Sequence, residues 1–89
     1  MMRDQILDAA KEYVTVDRAA THGGAEDSFA MIADLWNAYL GLDIKPHDVC
    51  AMMALMKIGR IAGNAAHTDS WIDVAGYACL GGEISSETD

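Results

Sequence analysis

Apolar residues recur every three or four positions along most of the chain, which is the spacing of an α-helix. Valine and isoleucine are few and form no extended alternation with polar residues of the kind that predicts a strand. Residues 15–25 lack a clean period and contain a glycine pair, so we expect a loop there. The pattern predicts an all-α fold, a four-helix bundle or part of an intertwined one, with helices over residues 3–15, 26–40, 46–62 and 68–80.

The third predicted helix is the most apolar segment. Residues 49–56 carry no charged side chain, and polarity returns only at Lys57 and Arg60, so we expect this helix to be the central and most buried one. Gly41 and the pair Gly81-Gly82 are typical stop signals for the second and fourth helices. The periodicity predicts buried stripes of Phe29, Ile32, Ala33, Trp36, Tyr39 and Leu40 in the second helix, and of Trp71, Ile72, Val74, Ala75, Ala78 and Cys79 in the fourth.

The length of 89 residues predicts one helical domain over residues 1–83, followed by an acidic, solvated tail over residues 84–89. A chain of this size buries only somewhat over ~60% of the surface that it exposes when unfolded. Its hydrophobic content is nevertheless 52%, with six Met. We therefore expect a homo-oligomer that buries part of this apolar surface between copies.

The charge balance restricts the partners. Six basic residues against fourteen acidic ones give a net charge of −8, which argues against binding of duplex nucleic acid but not of a small anionic ligand. No apolar run approaches the ~18 residues of a membrane span, and the first residues do not resemble a signal peptide. We expect a cytoplasmic protein, with no membrane partner, whose Cys50 and Cys79 are free buried thiols.

Four charged residues are the main candidates for chemistry. Lys57 and Arg60 are three positions apart and project from one face near a helix end, where they would either complement the helix dipole or bind phosphate. Asp69 and Asp73 are four apart on the next helix and would either hold Mg²⁺ or, for Asp73, form a buried ion pair with Lys57 or Arg60. Both interpretations place the four side chains together.

Further candidates are less specific. Arg18 and His22, the latter beside a glycine pair, could contact phosphate, although a plain loop has the same composition. Aromatic side chains could stack on a base, but more often belong to the core. The complete predicted set is Arg18, His22, Trp36, Lys57, Arg60, Asn64 and Tyr77 for the ligand, with Asp69 and Asp73 for the metal.

A family resemblance rests on two adjacent motifs, Lys57-x-x-Arg60-x-x-x-Asn64 and Asp69-Ser-Trp-Ile-Asp73-Val-Ala-Gly-Tyr77. Together with the segments over residues 22–29 and 32–36, they resemble a family of small tailed-phage proteins over residues 16–83. The C-terminal half more distantly resembles the all-α, MazG-like nucleoside triphosphate pyrophosphatases. That resemblance implies a helical dimer or tetramer that binds Mg²⁺ through carboxylates on its helices and releases pyrophosphate from a nucleotide.

The chain departs from the MazG-like pattern at the metal ligands. Asp73 stands at the Asp of the ExxD motif of that family, but Ser70 stands at its Glu, with Asp69 beside it. The preceding helix should carry ExxE, whereas residues 51–56 contain no carboxylate. Mg²⁺ catalysis needs several anionic ligands, so Glu26, Asp27 or Asp34 would have to complete the site.

Three functions are therefore in competition. We expect a degenerate MazG-like fold that binds a phosphorylated nucleotide or a nucleotide signal of host defence and could sequester it. The first alternative is an Mg²⁺-dependent nucleotide pyrophosphohydrolase, and the second is a structural or protein-binding helical module. A pocket lined by the charged residues would favour nucleotide, and a closed ion-pair network would favour the module.

Overall fold

The computed structural model describes residues 1–17 and 24–87. Within these ranges the chain is all-α and contains no strand, as the periodicity predicts. None of the described helices combines the length and the apolar character that crossing a bilayer requires. The four helices are α1 (Arg3–Glu12), α2 (Ala25–Leu40), α3 (Pro46–Gly63) and α4 (Thr68–Glu87).

The ends of α2 and α3 lie where local signals predict them. Gly41 adopts the left-handed conformation (φ 68°, ψ 33°), and its N–H donates to the carbonyl of Asn37. Pro46 begins α3, where its missing N–H leaves no unsatisfied donor. The carboxylate of Asp48 accepts the N–H of Lys45 at 2.8 Å and closes the first turn of α3. The predicted boundaries of these two helices are confirmed to within one residue.

The first helix changes geometry at its end. The prediction was a helix over residues 3–15, but the α-helix ends at Glu12 and a π-helical turn, Tyr13–Asp17, follows it. The hydroxyl of Thr15 donates to the carbonyl of Lys11 at 2.6 Å, the acceptor that an α-helix would give to the N–H of Thr15. This hydrogen bond favours the wider turn. Residues 15–17 of the predicted loop therefore belong to the π-helical turn, and residues 18–23 lie outside the described residues.

The predicted end of α4 at Gly81-Gly82 is wrong. The helix continues to Glu87, and Ile84 is 2% exposed instead of lying in a solvated tail. The reason is tertiary packing: a Cβ atom at Gly81 would lie 3.0 Å from the Cβ of Cys50, so the glycine permits a close approach of α4 to α3. Burial of Ile84 beyond this contact stabilises the additional turns.

The core lies between α2, α3 and α4. Its buried cluster consists of Phe29, Ala33, Val49, Cys50, Leu80 and Ile84. α3 and α4 pack along one another, α2 packs on α3, and α1 packs on α4. Val14 of the π-helical turn approaches Gly76, where a Cβ would lie 3.2 Å from its Cγ1.

Several residues that were predicted to be buried are exposed within this chain. α3 is not the most buried helix, because Met52, Leu55, Met56 and Ile58 all reach the surface. On α4, Ile72 is buried as predicted, but Trp71, Ala78 and Cys79 are exposed. On α2, Phe29 and Ala33 are buried, whereas Tyr39 and Leu40 are exposed. The helices are apolar on more faces than one chain can bury.

Candidate functional site

An ion pair joins the two helices that carry the predicted site. The Nζ atom of Lys57 on α3 lies 3.0 Å from Oδ2 of Asp73 on α4. The two side chains are 17% and 34% exposed, so water screens the pair only in part. This is the ion pair that the structural interpretation of Asp73 predicts, with Lys57 as the partner.

The other two charges of the cluster lie in solvent. Arg60 is exposed, and its guanidinium has no ion-pair partner among residues 1–17 and 24–87. Asp69 is exposed in the first turn of α4, where a negative charge complements the helix dipole. Lys57 and Asp73 thus neutralise each other, whereas Arg60 and Asp69 are exposed to solvent.

The turn between α3 and α4 is held by its own hydrogen bonds. Asn64 follows the last residue of α3, its Oδ1 accepts the N–H of Ala66 at 3.3 Å, and its carbonyl accepts the N–H of His67 at 3.1 Å. The indole N–H of Trp71 donates to the carbonyl of Ala65 at 2.9 Å. The Trp71 residue is nevertheless 47% exposed. In this geometry Asn64 shapes the turn.

A serine–histidine contact was not predicted. Ser70 is fully buried, and its Oγ lies 2.8 Å from Nδ1 of His67. Its N–H also donates to the carbonyl of His67 at 3.1 Å, so the pair closes the first turn of α4. The sequence contained one signal for this contact. Ser70 lies three positions after His67, the residue that precedes α4, and this is the spacing of a capping box. Because Ser70 has no exposed surface, its role is structural.

A groove lies between α3 and α4, and neither Lys57 nor Asp73 belongs to its lining. It has a volume of about 550 Å³, and among the residues that the structure describes no Asp, Glu, Lys or Arg side chain lines it. Of the predicted ligand-binding residues only Tyr77 borders it, and that ring also packs edge-on against Phe29 at a centroid distance of 6.3 Å. The lining residues are His47, Cys50, Ala51, Ala54, Leu55, Ile58, Tyr77, Ala78, Gly81, Gly82 and Ser85.

None of the other described candidates lines this groove. Trp36 packs against the hydrophobic core. Arg18 and His22 lie outside the described residues. The structure therefore brings Lys57 and Asp73 together and leaves Arg60 and Asp69 in solvent. It places the aromatic candidates Trp36 and Tyr77 in or beside the core.

Comparison with known proteins places this architecture in a family. Residues 5–85 match the domain of unknown function DUF6378. The chain belongs to the DUF6378 family. This DUF6378 domain is 43% identical over 74 residues to the Gene 55 protein of Mycobacterium phage L5, covering 82% of this chain and 47% of that protein. It is 39% identical over 77 residues to the Gene 55 protein of Mycobacterium phage D29, covering 86% and 51%.

The predicted resemblance to phage proteins is thus confirmed, and that to the MazG-like enzymes stays a prediction. The chain spans about half the length of these phage relatives. No solved structure matches it.

The described residues of this DUF6378 domain do not fit the Mg²⁺ site that the MazG-like resemblance implies. Asp73 contacts the ammonium group of Lys57. The Glu of the ExxD motif is replaced by Ser70, which is buried. Among residues 1–17 and 24–87, no three His, Cys, Asp or Glu side chains gather in a way that could hold a metal ion. Glu26, Asp27 and Asp34 are exposed on α2. Magnesium binding by Asp69 and Asp73 stays a prediction.

Proposed function

We propose that this DUF6378 domain is a helical protein-binding module in which Lys57 and Asp73 join α3 to α4. The observation that carries the proposal is the separation of the two features between these helices. Lys57 and Asp73 form a closed contact, and the described lining of the open groove beside them is mainly apolar and contains no Asp, Glu, Lys or Arg. The charged contact suits a structural role, and the groove suits apolar side chains of a protein.

The ion pair argues against chemistry at the cluster. A phosphate that bound Lys57 would compete with a carboxylate already 3.0 Å from its ammonium group and would approach the negative charge of Asp73. A divalent cation at Asp73 would meet the positive charge of Lys57. Either ligand would have to break a partly desolvated contact before gaining its own.

The surface argues for a protein partner. Leu55 and Ile58 of α3 line the groove and are exposed, and Met52 and Met56, which do not line it, are exposed on the same helix. Contiguous apolar surface of this kind is rare on small soluble monomers and marks contacts with other proteins. Met side chains suit such contacts because they adapt to different partner shapes.

A thermal-shift screen tests the proposal against the nucleotide alternatives. Nucleoside mono-, di- and triphosphates and cyclic dinucleotides would be added with Mg²⁺ and with EDTA. We expect no change in Tm, because the proposed module has no nucleotide site. The screen would detect such a site, since a ligand that bound at 100 times its Kd would add about 2.7 kcal/mol of stability. A nucleotide-dependent rise in Tm that disappears in Arg60→Ala would overturn the protein-binding proposal. Lys11→Ala, which removes an exposed cation from α1, is the matched control.

Nucleotide binding without cleavage is the second candidate. It is supported by the exposed guanidinium of Arg60, which lies one helical turn beyond Lys57, and by the exposed indole of Trp71 on the following helix. A guanidinium suits bidentate binding of phosphate, and an indole face suits stacking on a base. In this function a degenerate MazG-like phage protein would sequester a nucleotide signal in the host cytoplasm. Pyrophosphohydrolysis would in addition need carboxylates from α2 or from another copy.

A further inference from the structure

We propose that α1 is a displaceable cover on α4, and that a cationic, amphipathic helix of a partner protein takes its place. This inference rests on the protein-binding function and adds a second surface, which the chain itself regulates. The α1-binding face is defined as the side of α4 on which α1 and the π-helical turn pack, and it includes Gly76.

The helix that now covers the α1-binding face shows what this face accepts. Among residues 3–16, the side chains that are not exposed form one helical stripe, Ile6, Ala9, Ala10 and Val14. Val14 packs on the buried Gly76, where a Cβ atom would lie 3.2 Å from its Cγ1. A helix that presents small and branched apolar side chains at this spacing therefore fits against α4, as in other cases of helix recognition.

The attachment of α1 is weak. Ala10 is the one buried residue of this helix, whereas Leu7 is exposed. Among the described residues, the side chains of α1 form no hydrogen bond or ion pair with α2, α3 or α4. A helix of 10 residues is also shorter than the ~12–15 that an isolated helix needs, so it loses its structure once released. Few buried contacts are typical of segments that open without global unfolding.

The charges of the two helices oppose their contact. The charged residues of α4 are all acidic, namely Asp69, Asp73, Glu83 and Glu87. α1 brings three carboxylates and two cations to this helix, and neither cation forms an ion pair with it among the described residues. A helix with the same apolar stripe and more Lys or Arg would be attracted where α1 is repelled. Charge complementarity therefore favours a cationic partner helix over α1.

Ala10→Cys and Ala33→Cys form a matched pair for testing whether α1 opens by itself. Both alanines are buried, 3% exposed on α1 and 2% exposed in the core on α2, and both substitutions change volume little. They would be made with Cys79→Ser, which removes the exposed thiol. Alkylation by iodoacetamide would be followed by mass spectrometry of peptides, with each rate normalised to that of the same thiol in urea.

We expect the thiol at position 10 to react on the order of 100-fold faster than the one at position 33, because release of α1 exposes it without opening the core. The native thiol of Cys50, which is buried in the core, is present in both variants and should react as slowly as the one at position 33.

A peptide of residues 1–17 with Asp4→Lys, Asp8→Lys and Glu12→Lys, the lysine peptide, tests displacement. These substitutions keep the apolar stripe and reverse the sign of the net charge. By mass action, the lysine peptide at about ten times its Kd for the open form should raise the alkylation rate at position 10 about 10-fold. The rate at position 33 should not change. The peptide of native sequence should need a higher concentration, and the lysine peptide carrying Ala10→Glu should have no effect.

Three outcomes would overturn the displaceable cover. Equal rates at positions 10 and 33 would show that α1 opens only with the whole domain. No response to the lysine peptide would show that its helix does not replace α1, and a response that survives Ala10→Glu in the peptide would show attraction of charge alone. Each of these leaves the protein-binding function intact if nucleotides still leave the Tm unchanged. A nucleotide-dependent Tm would instead overturn that function, whatever the alkylation rates.

Discussion

Lys57 and Asp73 connect the second half of α3 to the first half of α4 through a contact of 3.0 Å between Nζ and Oδ2. Each side chain neutralises the other in a partly buried setting. Two of the four charged residues that the sequence analysis selected for ligand chemistry are therefore in contact with each other. The turn between these helices has its own hydrogen bonds, so the ion pair holds the helices together beyond the turn.

A charge exchange across this pair tests its structural role. Lys57→Glu and Asp73→Lys should each destabilise the fold by about 1–3 kcal/mol, between the values typical of exposed and of buried pairs. The double variant should recover most of that loss, because the opposite charges face each other again. Urea unfolding in EDTA and in excess Mg²⁺ measures both effects.

Arg60→Glu is the control. Because Arg60 has no ion-pair partner among the described residues, this substitution should change stability by less than about 1 kcal/mol. A double variant no more stable than the two single variants would contradict the ion-pair role. A gain in stability with Mg²⁺ that the parent shows and Asp73→Asn lacks would favour the metal role instead.

Two adjacent glycines on α4 should respond oppositely to alanine. A Cβ at Gly81 would lie 3.0 Å from the Cβ of Cys50, whereas nothing lies within 4 Å of one at Gly82. We expect Gly82→Ala to stabilise the helix by about 1 kcal/mol and Gly81→Ala to destabilise the fold by about 1–2 kcal/mol. Thermal unfolding at several protein concentrations separates these effects on stability from any effect on association. Equal stabilisation by both substitutions would show that α3 and α4 do not approach closely at Gly81.

Ser70 tests whether a carboxylate at the position that the MazG-like resemblance assigns to Glu creates a metal site. Ser70→Glu would recreate the spacing of the ExxD motif with Asp73, but it places a carboxylate where the parent side chain is fully buried. We expect a loss of at least about 3 kcal/mol and no response to Mg²⁺. Ser86→Glu, on the exposed face of α4, should be nearly neutral. Stabilisation of Ser70→Glu by Mg²⁺ would show that the helices accommodate the ion.

Ile84 tests the last turns of α4. Because this side chain is buried, Ile84→Ala should destabilise the protein by about 2–4 kcal/mol, measured by urea unfolding. Leu7→Ala removes an isomeric side chain from an exposed position of α1 and should cost well under 1 kcal/mol. If Ile84→Ala were as neutral as Leu7→Ala, residues 84–87 would behave as the solvated tail that the composition predicts.

The sequence predicted what local chemistry controls. The ends of α2 and α3 depend on a left-handed glycine and an N-terminal proline, so Gly41 and Pro46 were sufficient to place them. The end of α4 depends on a contact between distant residues, Gly81 and Cys50, which no local pattern contains. Glycine was interpreted as a helix terminator, although here it permits packing.

Burial and pairing were harder to predict for a related reason. Helical period identifies apolar faces, but α3 and α4 have more than one, and the pattern does not say which faces the core of this chain. Trp71 and Cys79 were assigned to the wrong side on that account. Spacing likewise brought two cations near two carboxylates, but the contact of Lys57 with Asp73 depends on how the helices are placed against each other.

The short turn between α3 and α4 also has a consequence for the order of folding. Only residues 64–67 separate the two helices, so their contacts close a small loop and require little loss of chain entropy. The hairpin is therefore expected to form early, with high φ-values for contacts between α3 and α4 and lower ones for those of α1. The groove between the two helices belongs entirely to this hairpin, so its apolar lining should be accessible to other molecules before α1 and α2 have packed. Folding and association should accordingly compete at high protein concentration, and the refolding rate should depend on it.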